Sequence, residues 1–179
     1  MSRDFQSAPD GADGSPMRLE AMNKTHLDAV VQIEARVFSN PWRRRDFEFS
    51  LERDGSHCLV AWIGNRLIGY TVGFFISYEY HLADFAIHFD FQGQGLGKQL
   101  LDLLLAELDI EKTHMISLEV RASNPQAIAL YKKRDFQTLA IRKGYYSRPK
   151  EDALVMVKPL KGSLSDWAEQ ALNLPSENR

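Results

Sequence analysis

Cysteine is nearly absent: Cys58 is alone in 179 residues. No internal disulfide can form, and a reducing cytoplasm is the expected setting. Cys58 lies in Cys58-Leu59-Val60-Ala61-Trp62, which reads as a buried strand, so it is taken as core rather than nucleophile. Long apolar runs are missing too. Nothing approaches the ~18 residues of a membrane helix. The N-terminus holds acids, glycines and prolines and no signal-peptide apolar stretch. Neither sign of charge dominates: 22 Lys and Arg against 24 Asp and Glu leave −2, so no basic field recruits nucleic acid. The five histidines, His26, His57, His81, His88 and His114, lack close metal-ligand pairing, so no metal is expected. They read as solvated or hydrogen-bonded. No serine has a nucleophile-elbow context, and no repeat is visible.

What is present is an ordinary apolar fraction of 44% in a chain long enough for one domain with a real core. Residues 1–16 read as a flexible N-terminal leader, 17–160 as the domain, and 161–179 as a tail. The tail carries a short amphipathic segment around Leu164, Trp167, Ala168, Ala171 and Leu172. Met17 to Met22 reads as a first strand. Thr25-His26-Leu27-Asp28 has capping-box-like spacing, and Leu27, Val30, Val31, Val37 and Phe38 recur helically. Asn40-Pro41-Trp42 is expected to start a second helix, with Phe47 and Leu51 on its buried stripe. Strands follow at 58–62, 67–76 and 81–88, the first two joined by a hairpin turn at Gly64-Asn65-Arg66. A Leu-rich helix is expected at 96–108, a strand at 115–120, a helix capped by Asn124-Pro125, and strands at 136–142 and 153–157. The order implies an α/β domain built on a mixed sheet.

The densest chemical signal is Gln92-Gly93-Gln94-Gly95-Leu96-Gly97-Lys98, opening the Leu-rich helix. Unpaired backbone N–H groups and a helix dipole there can hold an anion. A P-loop requires Ser or Thr after Gly-Lys; here Gln99 follows. A dinucleotide fingerprint requires Gly three residues after Gly95; that residue is Lys98. The remaining nucleotide motif is the Gln-x-x-Gly-x-Gly turn that cradles a coenzyme A pyrophosphate, which Gln92, Gly95 and Gly97 fit. From this turn alone, an ordinary glycine turn before a buried helix stays open.

Downstream, Ile116, Leu118 and Val120 share one strand face, and Ser117, Glu119 and Arg121 the other. Glu119 can serve as a base if it opens into a cleft; a salt-bridged surface glutamate is the plainer reading. Tyr131 lies two helical turns after Asn124; a core tyrosine is again the plainer reading. Arg43-Arg44-Arg45 reads as a solvated helix face.

The blocks Gln92 to Lys98, Leu118 to Asn124 and Ala127 to Phe136, flanked by Asn40-Pro41-Trp42 and Arg142-Lys143-Gly144-Tyr145-Tyr146, resemble the GCN5-related N-acetyltransferase (GNAT) family over about residues 18–160. The resemblance is to its branch that acetylates ribosomal-protein N-termini. It implies a twisted, mixed, mostly antiparallel sheet of six to seven strands flanked by about four helices. It implies acetyl-CoA as co-substrate, with no metal. The acceptor would be a protein N-terminus, most specifically the N-terminal alanine of a small-subunit ribosomal protein. Alternatives are a lysine or small-molecule amine, or a catalytically silent acetyl-CoA-binding module. The resemblance further implies Glu119 as general base and Tyr131 as general acid. Phe85, Ala86, Ile87, Gly93, Gln94, Gly95, Leu96, Gly97, Lys98 and Asn124 would be coenzyme ligands, and Trp42, Glu79, Tyr145 and Tyr146 would line the acceptor cleft. Three positions depart from the family pattern: Gly93 stands where a basic residue is common, and His88-Phe89 replaces the commoner Asp-Pro.

Overall fold

Period-two alternation of apolar residues in seven segments decides the architecture, because each strand must bury one face and can leave the other open. The computed structural model describes residues 16–163. The leader's residues 1–15 and the amphipathic segment expected around Leu164 to Leu172 lie outside that range. The elements are β1 (Met17–Ala21), α1 (Leu27–Val37), α2 (Arg44–Glu52), β2 (Ser56–Ile63), β3 (Arg66–Ile76), β4 (Glu79–Ile87), α3 (Leu96–Glu107), β5 (Met115–Arg121), α4 (Pro125–Lys132), β6 (Gln137–Ser147) and β7 (Lys150–Pro159). All seven strands join one sheet in the order β1-β2-β3-β4-β5-β7-β6. Only β4 and β5 run parallel. The mixed, mostly antiparallel sheet with four helices is the architecture expected from sequence.

Two apolar layers hold the helices. On one face Leu101 and Leu104 from α3, Leu108 just after it and Tyr131 from α4 pack on Tyr80, Leu82, Ile116, Leu118 and Val120. On the other, Leu27, Val30 and Ile33 from α1 and Phe47 from α2 pack on Val60, Tyr70 and Val72. Leu100, Leu101 and Leu104 are fully buried. Each contributes about 1.5–3 kcal/mol of burial, which anchors the helix behind the glycine turn.

Both early helix starts differ from expectation. The first cap is Asn23, at the start of a 3₁₀ turn (Lys24–His26) that leads into α1: its side chain accepts from Thr25 N at 2.9 Å, while His26 Nδ1 accepts from Asn23 N at 3.2 Å. Asn caps better than Thr, and this pair displaces the Thr25–Asp28 box. The second helix begins at Arg44, not at Asn40-Pro41-Trp42. Trp42 N is already donated to Glu34 Oε1 at 2.7 Å, and Asp46 Oδ2 accepts from Arg43 N at 2.7 Å. The first bond ties the loop to α1; the second starts the helix at Arg44, three residues after Pro41. The last hairpin is longer than expected, since 137–147 pairs with 150–159 through an irregularity between Arg142 and Tyr146.

The limited pairing of β4 with β5 opens the sheet. β4 and β5 pair only from Glu79–Met115 to Leu82–Leu118, and no pairing continues beyond. At that point β4 carries a bulge: Val72 pairs with Asp84 and Gly73 with Leu82, leaving Ala83 as the extra residue. The bulge reverses the strand's facing. Tyr80 and Leu82 lie in the α3 layer, whereas Ala83 and Ala86 lie in the α1 layer. The two strands then diverge into a V.

Candidate active site

Glu119 is the first residue of β5 beyond the last paired position, so it stands at the apex of the V. Its neighbours Leu118 and Val120 face the α3 layer, which turns its carboxylate to the opposite side. Only 14% of that side chain is exposed. Arg142 Nη1 on β6 donates to Glu119 Oε1 at 2.8 Å, and His81 Nε2 on β4 lies 3.6 Å from Oε2.

Tyr131 approaches the V from the α4 side. Its ring packs against Phe85 and Phe136 at centroid distances of 6.4 and 5.5 Å. Burial, with lesser contributions from Asp84 and Tyr146, raises its phenol well above the ordinary value. The group therefore stays neutral and acts as a hydrogen-bond donor. Among the described residues its hydroxyl has no hydrogen-bond partner. Glu119 and Tyr131 thus flank one opening from its two faces.

The β4 backbone past the bulge offers the V an open edge. His88 N donates to Ile68 O at 2.8 Å. By antiparallel alternation, Phe85 and Ile87 then point their N–H and C=O groups away from β3. Their partners agree: Phe85 N donates to Asp84 Oδ1 at 2.8 Å, and Ile87 O accepts from Gln92 Nε2 at 3.0 Å. The Gln92 side chain therefore docks the glycine turn onto the end of β4.

In that turn Gly93 and Gly95 adopt φ of 74° and 80°, with Gly95 as N-cap of α3. L-residues avoid this region. A Cβ at either would meet nothing within 4 Å, so the space in front of the turn is open. The first α-helical bond is Gln99 N to Gly95 O, which leaves the amides of Leu96, Gly97 and Lys98 without intrahelical acceptors. An open cradle of amides at a helix N-terminus suits a pyrophosphate, and it lies beside the open edge of β4. The residues present therefore fit a coenzyme A. Asn124 caps α4, its Oδ1 accepting from Ala127 N at 3.0 Å, which leaves its amide nitrogen for a ligand.

The four acceptor-side candidates lie at three places. Trp42 packs on Phe47 at 5.5 Å in the loop before α2. Tyr145 and Tyr146 sit in the β6 irregularity, which Gly144 (φ 59°) opens and Asp152 Oδ1 braces through Gly144 N at 2.8 Å. Arg142 stacks on Tyr145 at 4.2 Å and Arg121 on Tyr146 at 4.0 Å. Burial pushes the Tyr146 phenol up to about 12. Glu79 sits at the far end of the paired β4–β5 segment, where its carboxylate accepts from the Ser117 hydroxyl.

Two clusters escape reading along the chain. Ser117 links Glu79 to His81, whose Nδ1 is 3.0 Å from Ser117 Oγ. Laying β4 beside β5 in parallel register would have shown this. The second cluster is buried between α1 and the sheet. The Tyr70 hydroxyl bonds Glu34 and also reaches Asp84 Oδ2 at 3.1 Å. Burial raises both carboxyls above the ordinary range, against the opposing bond from Tyr70. Cys58 is a buried core residue.

Residues 27–136 match the acetyltransferase (GNAT) family. The chain is 34% identical over 144 residues to a [ribosomal protein bS18]-alanine N-acetyltransferase of Salmonella typhimurium, covering 79% of this chain and 97% of that protein. It is 30% identical over 151 residues to the N-alpha-acetyltransferase RimI of Mycobacterium tuberculosis, covering 81% and 94%. The crystal structure of the ribosomal-protein-S18-alanine N-acetyltransferase from Escherichia coli superposes with a TM-score of 0.75 at 30% identity, over 82% of this chain and 96% of that one.

Proposed function

The chain belongs to the acetyltransferase (GNAT) family, and from that premise we propose that it acetylates the N-terminal α-amine of a protein. The acceptor we assign is the N-terminal alanine of a small-subunit ribosomal protein. The observation that carries this reading is the placement of Glu119 and the free hydroxyl of Tyr131 on opposite faces of one opening in the sheet. The similarity to relatives named for alanine N-acetylation supports the acceptor.

An α-amine has a pKa of ~7.8, against ~10.4 for lysine. Near neutrality it is already partly deprotonated, so a carboxylate base is adequate. Glu119 accepts the amine proton directly or through one water. Leu96, Gly97, Lys98 and the preceding turn amides hold the pyrophosphate, and Phe85 to Ile87 align the pantetheine arm. On the open edge of β4 the Ile87 N–H remains to polarise the thioester carbonyl, since Phe85 N is held by Asp84 Oδ1, and removing one such donor typically costs about 10²–10³ in kcat. Tyr131 stabilises the departing sulfur. With its phenol raised by burial, it does so chiefly by donating a hydrogen bond. Trp42, Tyr145 and Tyr146 line the approach of the acceptor, and Arg142 must yield part of the Glu119 carboxylate to the incoming amine.

The test is thiol release from acetyl-CoA with peptides bearing a free N-terminal alanine, the same peptides blocked at the N-terminus, lysine peptides and polyamines. Release that requires the free alanine and disappears in Glu119→Gln is expected. Preference for lysine or a small amine would move the acceptor. Coenzyme binding without turnover on any amine would leave a silent binding module.

A further inference from the structure

Acetyl transfer to an ammonium releases one proton per turnover. The nitrogen gives up two protons as the C–N bond forms, and the sulfur takes one as the C–S bond breaks. With Glu119 as base, the other proton starts on its carboxylate, and this inference rests on that reading. Two side chains border that carboxylate. Arg142 covers Oε1, and a guanidinium accepts no proton. Oε2 faces His81 Nε2 at 3.6 Å.

The hydrogen bonds behind His81 settle which nitrogen carries its hydrogen. The Ser117 hydroxyl donates to Glu79, so toward His81 it offers only a lone pair. His81 Nδ1, 3.0 Å from Ser117 Oγ, must then be the N–H. In the neutral ring Nε2 is bare and faces a carboxylate oxygen. Two acceptors with no hydrogen between them stand apart, and 3.6 Å is too long for a hydrogen bond. A proton arriving on Glu119 supplies the missing hydrogen.

We propose that His81, Ser117 and Glu79 form the proton exit of Glu119. The carboxyl proton passes from Glu119 Oε2 to His81 Nε2. The Nδ1 proton passes to Ser117 Oγ, and the Ser117 hydroxyl proton to Glu79 Oε1. Charge and hydrogen count balance: Glu119 returns to carboxylate, His81 and Ser117 stay neutral, and Glu79 gives the proton to water at the partly exposed start of β4. His81 is 29% exposed, so its tautomer resets through solvent. The parallel register builds the path, because it sets His81 opposite Ser117 and Glu79 opposite Met115. His81 and Ser117 act through Glu119 and are positioning residues.

The test compares His81→Asn, Ser117→Ala, Glu79→Gln and Glu119→Gln, using acetyl-CoA and an alanine-terminated peptide, across pH 6 to 9. Melting and acetyl-CoA affinity check the fold. We expect His81→Asn and Ser117→Ala to lose about ten- to a hundredfold in kcat, the lower edge of what positioned proton transfer contributes. KM for both substrates should hold, and free imidazole should restore rate to His81→Asn. Glu79→Gln should lose less, because water can replace the last acceptor. A kcat near wild type in both His81→Asn and Ser117→Ala, a loss confined to KM, or a loss that imidazole does not restore would overturn the relay. Glu119→Gln separates the two readings. If it keeps full rate, the base assignment fails and takes the relay with it. If it is silent while His81→Asn runs at full rate, only the relay fails.

Discussion

Substituting Asp84→Asn should stabilise the protein at neutral pH, by an amount that shrinks as the pH falls. The Tyr70 hydroxyl has one hydrogen, yet it lies within hydrogen-bond reach of both Glu34 and Asp84. It can donate to only one. The other bond exists only if that carboxyl is protonated and donates to the phenol oxygen. Burial, the dominant cause, holds both carboxyls above their usual range. The unfolded chain releases these protons around pH 4, while the folded cluster retains one to higher pH. Where the folded state binds more protons, stability falls as pH rises. It falls by about 1.4 kcal/mol per unit for each retained proton. The contribution is complete below the ordinary carboxylate range and is lost on the way up to the cluster's raised value. Asparagine removes the titration. Its amide can donate to Tyr70 Oη while its carbonyl keeps the Phe85 N–H, and Tyr70 still donates to Glu34. Between pH 5 and 7 the advantage of Asp84→Asn over wild type should grow by at most about 1.4 kcal/mol per unit, over the interval in which the cluster keeps its proton. At roughly 2–4 °C per kcal/mol for a chain of this size, the melting difference widens by up to about 3–6 °C per unit. Parallel thermal melts at the two pH values read it, and subtracting wild type at each pH cancels the other titrating groups. A difference that is constant with pH, or that narrows toward pH 7, would refute the shared proton.

Two further substitutions separate binding from chemistry. Gly95→Ala places a methyl where no protein atom lies within 4 Å, so its stability cost is the left-handed backbone alone, about 1–2 kcal/mol. KM for acetyl-CoA should rise more than kcat falls, as steady-state titration of both substrates will show. Tyr131→Phe removes a hydroxyl without a protein partner among the described residues, so its melting temperature should stay near wild type. Its kcat should fall about 10²-fold, at the modest end for a positioned donor; an unchanged kcat would return Tyr131 to the core.

The fold was legible because its signals are local. Alternation in Met115 to Val120, the hairpin at Gly64–Asn65 and the leucines of α3 each report on a few adjacent residues. The glycine turn was legible for the same reason, whereas Glu119 and Tyr131 read locally as a salt-bridged glutamate and a core tyrosine and were singled out only by the family resemblance. What escaped is non-local. Glu34 interrupts an apolar helix face, and its partner Tyr70 is 36 residues away. His81 and Ser117 are also 36 apart, and they meet only because two strands run parallel. The start of α2 was misplaced because a proline signal competes with a hydrogen bond from Trp42 to another helix.

The divergence of β4 and β5 also bears on aggregation. An unpaired strand edge invites another chain, and proteins usually blunt such edges with charge, proline or a covering segment. Here the bare edge of β4 lies inside the sheet order, with β3 on one side and β5 on the other. The strands meet at Leu82–Leu118, so the gap narrows to nothing at one end. A foreign strand needs a full inter-strand spacing along its whole length, about 4.8 Å on each side, and the wedge denies it that. A slender extended arm entering from the wide end meets no such limit. The same geometry that spares amides for a ligand thereby keeps them from other proteins.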